Sequence, residues 1–291
     1  MSSGVLYLSK LVVLLLSCLV SKRDQVPLDY VIHFMHPLLS RHMDGVRKKL
    51  VQRPICAIIG AGEGLGQALA SRFAKNGFAL ALISRSESGS AAAIKAAGKH
   101  TPCVRFFKAD ATNPNTIENA LKKVSAEMGD VEVLIYNCRD NFTACAPLEM
   151  SYESMLETYN VEVVGAFAAA KSVLPDMISK LRGTIFFSSA TAAYRGSSTH
   201  PLYSIGKFGL RALSQSLAKA YGRNGVHVIH VRLDCDLDVP YMRNSYGPDY
   251  DRNKLANPDA VAESYWLAYK QPKAAWSNEI ELRPNVENWT L

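Results

Sequence analysis

"IIGAGEGLG", residues 58–66, sets four glycines at alternate positions directly behind a short apolar run. A glycine turn that follows a strand and opens a helix lets backbone N–H groups approach a phosphate, because no side chains stand in the way. The G-x-G-x-x-G spacing does not fit here: counted from Gly60 and Gly62, its third glycine falls on Leu65. The pattern G-x-x-x-G-x-G does fit, through Gly60, Gly64 and Gly66.

On either side of this turn, strand-like and helix-like stretches alternate. Strands are expected at 55–60, 79–84, 104–110, 131–137, 183–189, 226–233 and 278–284. Helices are expected at 66–77, 113–130, 152–178, 203–222 and 259–271, with irregular chain at 191–201 and 236–258. Alternation of this kind builds a parallel sheet with helices on both faces. The expected fold is therefore α/β, a Rossmann-type doubly wound parallel sheet of about seven strands in a single domain over 54–291, with an N-terminal helical extension over 1–53.

The charge is unevenly placed. Of the net +7, residues 1–53 contribute eight basic against three acidic side chains, leaving 25 basic and 23 acidic in the rest. The domain is near neutral, which argues against nucleic-acid binding. The extension opens with "VLYLSKLVVLLLSCLV" (5–20), sixteen residues broken by Lys10 and followed by Lys22 and Arg23. A spanning helix needs about 20 apolar residues, so the run is short for a crossing, and it lacks a good signal-cleavage site. Residues 1–22 read as a membrane contact or an organellar targeting segment (mitochondrion or endoplasmic reticulum). A partner-docking helix, and with it a cytoplasmic protein, is the alternative. Residues 21–53 read as a basic amphipathic helix in which His33, His36 and His42 are interfacial or solvated. Six scattered cysteines make no C-x-x-C pair and no metal-type cluster, so no metal is expected and a reducing compartment is implied. Cys56, Cys103 and Cys138 read as small buried hydrophobes.

The chemistry lies in "YSIGK": Tyr203 and Lys207 stand one turn apart on one helix face, after Ser188-Ser189 at a strand end, with Asn160 in the helix before. With the glycine turn, these residues resemble the short-chain dehydrogenase/reductase family from about Arg53 to the C-terminus. The resemblance implies a catalytic tetrad of Asn160, Ser189, Tyr203 and Lys207. It also matches Asn137 to the family's asparagine ending the fourth strand, and Asp110 to the residue that caps the adenine, with Ala111 beside it. Reduction of a carbonyl by hydride needs a proton donor at the nascent alkoxide, and a phenol suits that role. Bringing a tyrosine from about 10 to about 7 takes about 4 kcal/mol, and Lys207 would supply the nearby positive charge. By resemblance Lys207 also holds the nicotinamide ribose, Ser189 orients the substrate oxygen, and Asn160 holds a relaying water.

After the second strand the acidic slot that would accept the ribose 2′-hydroxyl holds Ser84, and Arg85 follows. This favours NADP(H) over NAD(H). The cofactor set is thus Gly60, Gly62, Glu63, Gly64, Leu65, Gly66, Ser84, Arg85, Asp110, Ala111, Asn137, Tyr203 and Lys207. The expected activity is an NADP-dependent oxidoreductase acting on a small carbonyl or alcohol, with a homo-oligomer or larger assembly left open. Several features depart from the family. Ile59 replaces the usual threonine before the first glycine, "YNCR" stands for N-N-A-G, and "LDCDLD" (233–238) stands for Pro-Gly. The Ser189–Tyr203 spacing of fourteen is one residue long. Asp234, Asp236 and Asp238 read as a solvated turn. These departures motivate a rival, a non-catalytic dehydrogenase-like subunit that binds nucleotide within a larger assembly.

Overall fold

The computed structural model describes residues 53–286. The readings of 1–22 as a membrane or targeting segment and of 21–52 as a basic helix lie outside the described residues. Among those described, no helix is long and apolar enough to cross a membrane.

Seven strands form one parallel sheet: β1 (Ile55–Ile59), β2 (Ala79–Ser84), β3 (Val104–Lys108), β4 (Val131–Tyr136), β5 (Gly183–Ala190), β6 (Val226–Leu233) and β7 (Glu279–Leu282). Their order across the sheet is β3-β2-β1-β4-β5-β6-β7. Strands covered on both faces read as continuous apolar runs, and β1 ("ICAII") is buried at every position. The edge strands β3 and β7 are largely half-exposed. The chain moves outward from β1 through β2 to β3, then returns to lay β4 on the other side of β1. The connections diverge there, and a crevice opens beyond the carboxyl ends of β1 and β4.

Side-chain alternation divides the core in two. Ile55, Ala57 and Ile59 face α3 (Pro114–Glu127), α5 (Gly165–Ser179) and α6 (Pro201–Tyr221). Cys56 and Ile58 face α1 (Leu65–Lys75), α2 (Glu87–Gly98) and α8 (Pro258–Tyr269). Phe73 of α1 and Phe78 before β2 pack edge-on against Trp266 and Tyr269 of α8, with ring centroids 5.5–6.3 Å apart. Contacts of this kind are worth about 0.5–1.5 kcal/mol each beyond the area they bury.

Three elements differ from expectation. Helix α2 carries no periodic large apolar side chains to announce it. Its buried face is Ser90, Ala93, Ala96 and Ala97, and Ser86 caps it by accepting from the Gly89 N–H at 3.2 Å. The helix expected over 152–178 is two, α4 (Tyr152–Tyr159) and α5, joined by a π turn over Asn160–Val164. A π turn admits an extra residue and loosens the i→i−4 ladder. The Val161 carbonyl accepts a short hydrogen bond from the buried Tyr136 hydroxyl. A further short helix, α7 (Pro240–Tyr246), lies in the stretch read as irregular.

Candidate active site

The glycine turn sits at the mouth of the crevice. Gly60 has φ +85°, and a Cβ there would stand 2.5 Å from the Asn137 carbonyl oxygen; one on Gly66 would stand 2.8 Å from the Gly60 oxygen. Asn137 ties β4 to the turn, its backbone N–H donating to Ile59 O at 2.8 Å and its Nδ2 to Gly60 O at 3.1 Å. Gly62 is not demanded by packing, since a Cβ there would meet Gly89 O at an ordinary 3.9 Å. Glu63 is exposed, whereas Leu65 is buried in the core, so the turn can offer only its backbone at 65. Gly64 adopts φ +90° and is crossed by Val239 from the segment after β6. Helix α1 begins there with no side-chain cap and no acidic residue in its first turn. Its first N–H groups, at the positive end of the helix dipole, are left for an anion.

At the end of β2 the Ser84 hydroxyl is engaged within its own turn, donating to Ser86 O and pairing with Ser90 Oγ, both at 2.8 Å. The Arg85 guanidinium is exposed and makes no hydrogen bond or ion pair with another described residue. Asp110 accepts from the Thr112 N–H at 3.0 Å and from the Thr112 hydroxyl at 2.9 Å, with Ala111 half-buried beside it.

The second cluster gathers where β5 meets α6. Lys207 is 2% exposed, and its Nζ lies 5.5 Å from the Tyr203 ring centroid and 3.4 Å from Ser188 O. Ser188 turns to the opposite sheet face, where its hydroxyl meets Tyr265 Oη at 2.8 Å. By alternation Ser189 faces the α6 side, and its buried Oγ has no hydrogen-bond partner. The resemblance gives Asn160 a relaying water and leaves the direct partner of Lys207 unnamed. The side chain that reaches Lys207 is Glu162, whose Oε2 accepts from Nζ at 2.7 Å, while Asn160 makes no side-chain hydrogen bond. The π turn aims Glu162, two residues on, at α6. The telling signal was a lone carboxylate in "NVEVV", since a charge in an apolar helical run is rarely buried without a partner.

Glu162 also alters the electrostatics. Burial works against the charge on Lys207, but the Glu162 carboxylate outweighs it and holds the ammonium above its ordinary value. Tyr203 goes the other way from expectation. Burial raises the phenol, Lys207 pulls it down, and Glu162 opposes that pull, so it stays above the ordinary tyrosine value. Burial, with help from Glu162, pushes Cys138 up to about 12, so it is no nucleophile.

Apart from Ile59, which is buried in β1, the family departures lie in the segments after β4, β5 and β6. The exposed Arg139 sits 5.9 Å from the Phe142 ring, whose edge meets Tyr203 at 5.0 Å and whose face stacks on His200 at 4.0 Å. Between Ser189 and Tyr203, β5 ends at Ala190 and is followed by a 3₁₀ turn over Thr191–Ala193. Tyr194 is then sandwiched between Arg211 (3.7 Å) and Arg232 (4.5 Å). Of the three aspartates read as a solvated turn, only Asp236 is exposed. Asp234 is 5% exposed and ion-paired to Arg283 (2.9 Å), Asp236 accepts from the Tyr246 hydroxyl, and Asp238 binds Arg243 and Arg252 at 2.6 Å each. Arginines hold two of the three carboxylates, Asp234 and Asp238. Cys103 is likewise not buried but exposed, at the start of the edge strand.

The residues at the crevice suit a dinucleotide. The space at Gly60 and Gly66 would be lost to a Cβ, the start of α1 offers uncapped N–H groups, and Arg85 leaves a cation free beside β2. Comparison with known proteins agrees. A family model described as short chain dehydrogenase matches residues 54–235. A bovine 3-oxoacyl-(acyl-carrier-protein) reductase is 26% identical over 202 residues, covering 66% of this chain and 82% of its own. The crystal structure of a short-chain dehydrogenase from Rhodopseudomonas palustris superposes with TM-score 0.68 at 29% identity, over 79% of this chain and 98% of that one. An alcohol dehydrogenase from the archaeon Thermococcus sibiricus, complexed with 5-hydroxy-NADP, gives TM-score 0.70 at 25% identity, over 82% and 99%.

Proposed function

The chain belongs to the short-chain dehydrogenase family of oxidoreductases, and on that premise we propose that it interconverts a small carbonyl compound and its alcohol with NADP(H), Tyr203 exchanging the proton. The observation that carries this reading is the pairing of Tyr203 with the buried Lys207, one turn apart on α6, at the carboxyl end of β5. When bound, the nicotinamide supplies or accepts the hydride. The chain's own residues do the rest. The backbone around Gly60–Gly66 and the start of α1 hold the pyrophosphate, and Asn137 keeps that turn against β4. Arg85 takes the 2′-phosphate, and Asp110 with Ala111 borders the adenine. The unpartnered Ser189 hydroxyl orients the substrate oxygen, and Tyr203 passes its proton to that oxygen in the reducing direction. The 5-hydroxy-NADP bound by the archaeal dehydrogenase supports the choice of NADP(H). No observation among the described residues favours a non-catalytic subunit.

The test is a screen of NADPH and NADH oxidation by the purified full-length chain over aldehydes, ketones and 3-oxoacyl thioesters. Turnover with at least one class, with NADPH preferred, is expected. Failure with every class, despite tight NADPH binding, would overturn the assignment as an enzyme.

A further inference from the structure

Glu162 is wholly excluded from solvent, and three features keep it so. The π turn over Asn160–Val164 aims it at α6. Gly206 makes room, since a Cβ there would stand 2.7 Å from Glu162 Cγ. Both carboxylate oxygens are engaged, Oε2 by Lys207 Nζ at 2.7 Å and Oε1 by the Asp140 N–H at 3.0 Å. A buried ion pair is weak evidence for stability, because apolar residues of similar volume often serve the fold as well. This pair instead lies against the group read above as the proton donor.

Four charged groups act on the Tyr203 hydroxyl, each from a different element: Lys207 from α6, Glu162 from the π turn, Arg139 from the segment after β4 and Asp236 from the segment after β6. Phe142, with His200 stacked behind it, closes one side of the ring. Two cations and two anions offset one another, and Glu162 is the anion bonded directly to the nearest cation. We propose, resting on the reading of Tyr203 as the proton-transferring group, that Glu162 is a positioning residue that holds the Lys207 ammonium and cancels its field. Tyr203 then stays a neutral phenol at physiological pH, and the site is set for carbonyl reduction rather than alcohol oxidation. In that direction the carbonyl carbon gains a hydride from the reduced nicotinamide, its oxygen gains the Tyr203 proton, and the phenolate regains a proton from water. The direction of the Tyr203 shift, raised despite Lys207, agrees with the geometry.

The test uses the full chain and Glu162→Gln, which keeps the size and an acceptor for Lys207 while removing the charge. Tyr203 is followed by ultraviolet difference titration, each protein against its own Tyr203→Phe counterpart, so the readout needs no turnover. The parent phenol should titrate above the ordinary tyrosine value. In the Gln variant the first ionisation of the Tyr203–Lys207 couple should fall by about one pH unit or more. The pH profile of alcohol oxidation should move the same way, and Glu162→Asp, which keeps the charge, should stay close to the parent. A parent phenol that ionises near neutrality, or a Gln variant with an unshifted titration, overturns the proposal. The first of these is decided on the parent even if the Gln variant does not fold. Turnover with an unshifted titration overturns the charge offset alone. A shifted titration in a chain that turns over no carbonyl upholds the charge offset and overturns the enzymatic reading instead.

Discussion

The glycine turn and the Tyr203 cluster are built on opposite principles, though both lie at the carboxyl end of one sheet. At the turn, function follows from what is missing: without Cβ atoms at Gly60 and Gly66, β4 and the start of α1 close on one another, and the first N–H groups of α1 are left bare. At Tyr203 it follows from what is buried: Lys207 and Glu162 are 2% and 0% exposed and are ion-paired to each other. The first construction is local, spanning nine residues. The second draws on the segments after β4 and β6, the π turn, β5 and α6, which meet only in the fold. An anion site made of backbone tolerates changes in side chains around it. A site made of mutually dependent charges does not, because removing one buried partner leaves the other uncompensated.

Breaking the charged end should therefore cost most. Tyr203→Phe removes only the transferable proton, and turnover should fall about 100- to 10 000-fold, while the NADPH dissociation constant measured by fluorescence changes little. Retention of most of the activity would place the proton elsewhere.

The next test concerns pH. His230 is fully buried in β6 with both ring nitrogens unpartnered, facing Tyr194, Glu279, Arg211, Lys207 and Arg232. Burial lowers it to about 4. An unfolded histidine takes its proton near 6.5, so between those values the unfolded chain binds the extra proton and stability falls as the pH drops. The full loss is about 3 kcal/mol, readable by urea denaturation at several pH values. His230→Leu should flatten that part of the curve, and a parent curve that is already flat there would contradict the burial argument.

The smallest effect is expected at the glycine-turn end. Arg85→Asp removes a cation that forms no hydrogen bond or ion pair with another described residue, so the fold should be unchanged. NADPH binding should weaken about tenfold to a hundredfold, the worth of a charge-assisted hydrogen bond, with NADH binding spared. Equal weakening for both cofactors would mean that Arg85 acts on something other than the 2′-phosphate.

Legibility followed the same division. The strands β2 and β6 coincide with the expected 79–84 and 226–233, because continuous apolar runs between turn residues have few alternatives in a doubly covered sheet. Helix α2 escaped because alanines pack a core face without marking it by periodicity. Asn160 entered the tetrad by resemblance, from its place in the helix before the Ser188-Ser189 strand, and Tyr203 was expected to be driven toward neutrality by Lys207. Neither expectation allowed for a single carboxylate carried into the core by a π turn.

By itself, the sequence determined the parallel α/β sheet, the G-x-x-x-G-x-G turn with its free Arg85, and the Tyr203–Lys207 pair. Each rests on spacing within one or two consecutive elements, and local chemistry is written in order along the chain. Only the tertiary structure decided that Glu162 meets Lys207 directly, that Asp234 is buried among arginines, and that the Tyr203 phenol is raised. Those outcomes depend on which charges share a low-dielectric volume. Partners such as Lys207 and Glu162, 45 residues apart, are joined there by the packing of α6 on the π turn and by no periodicity in the sequence.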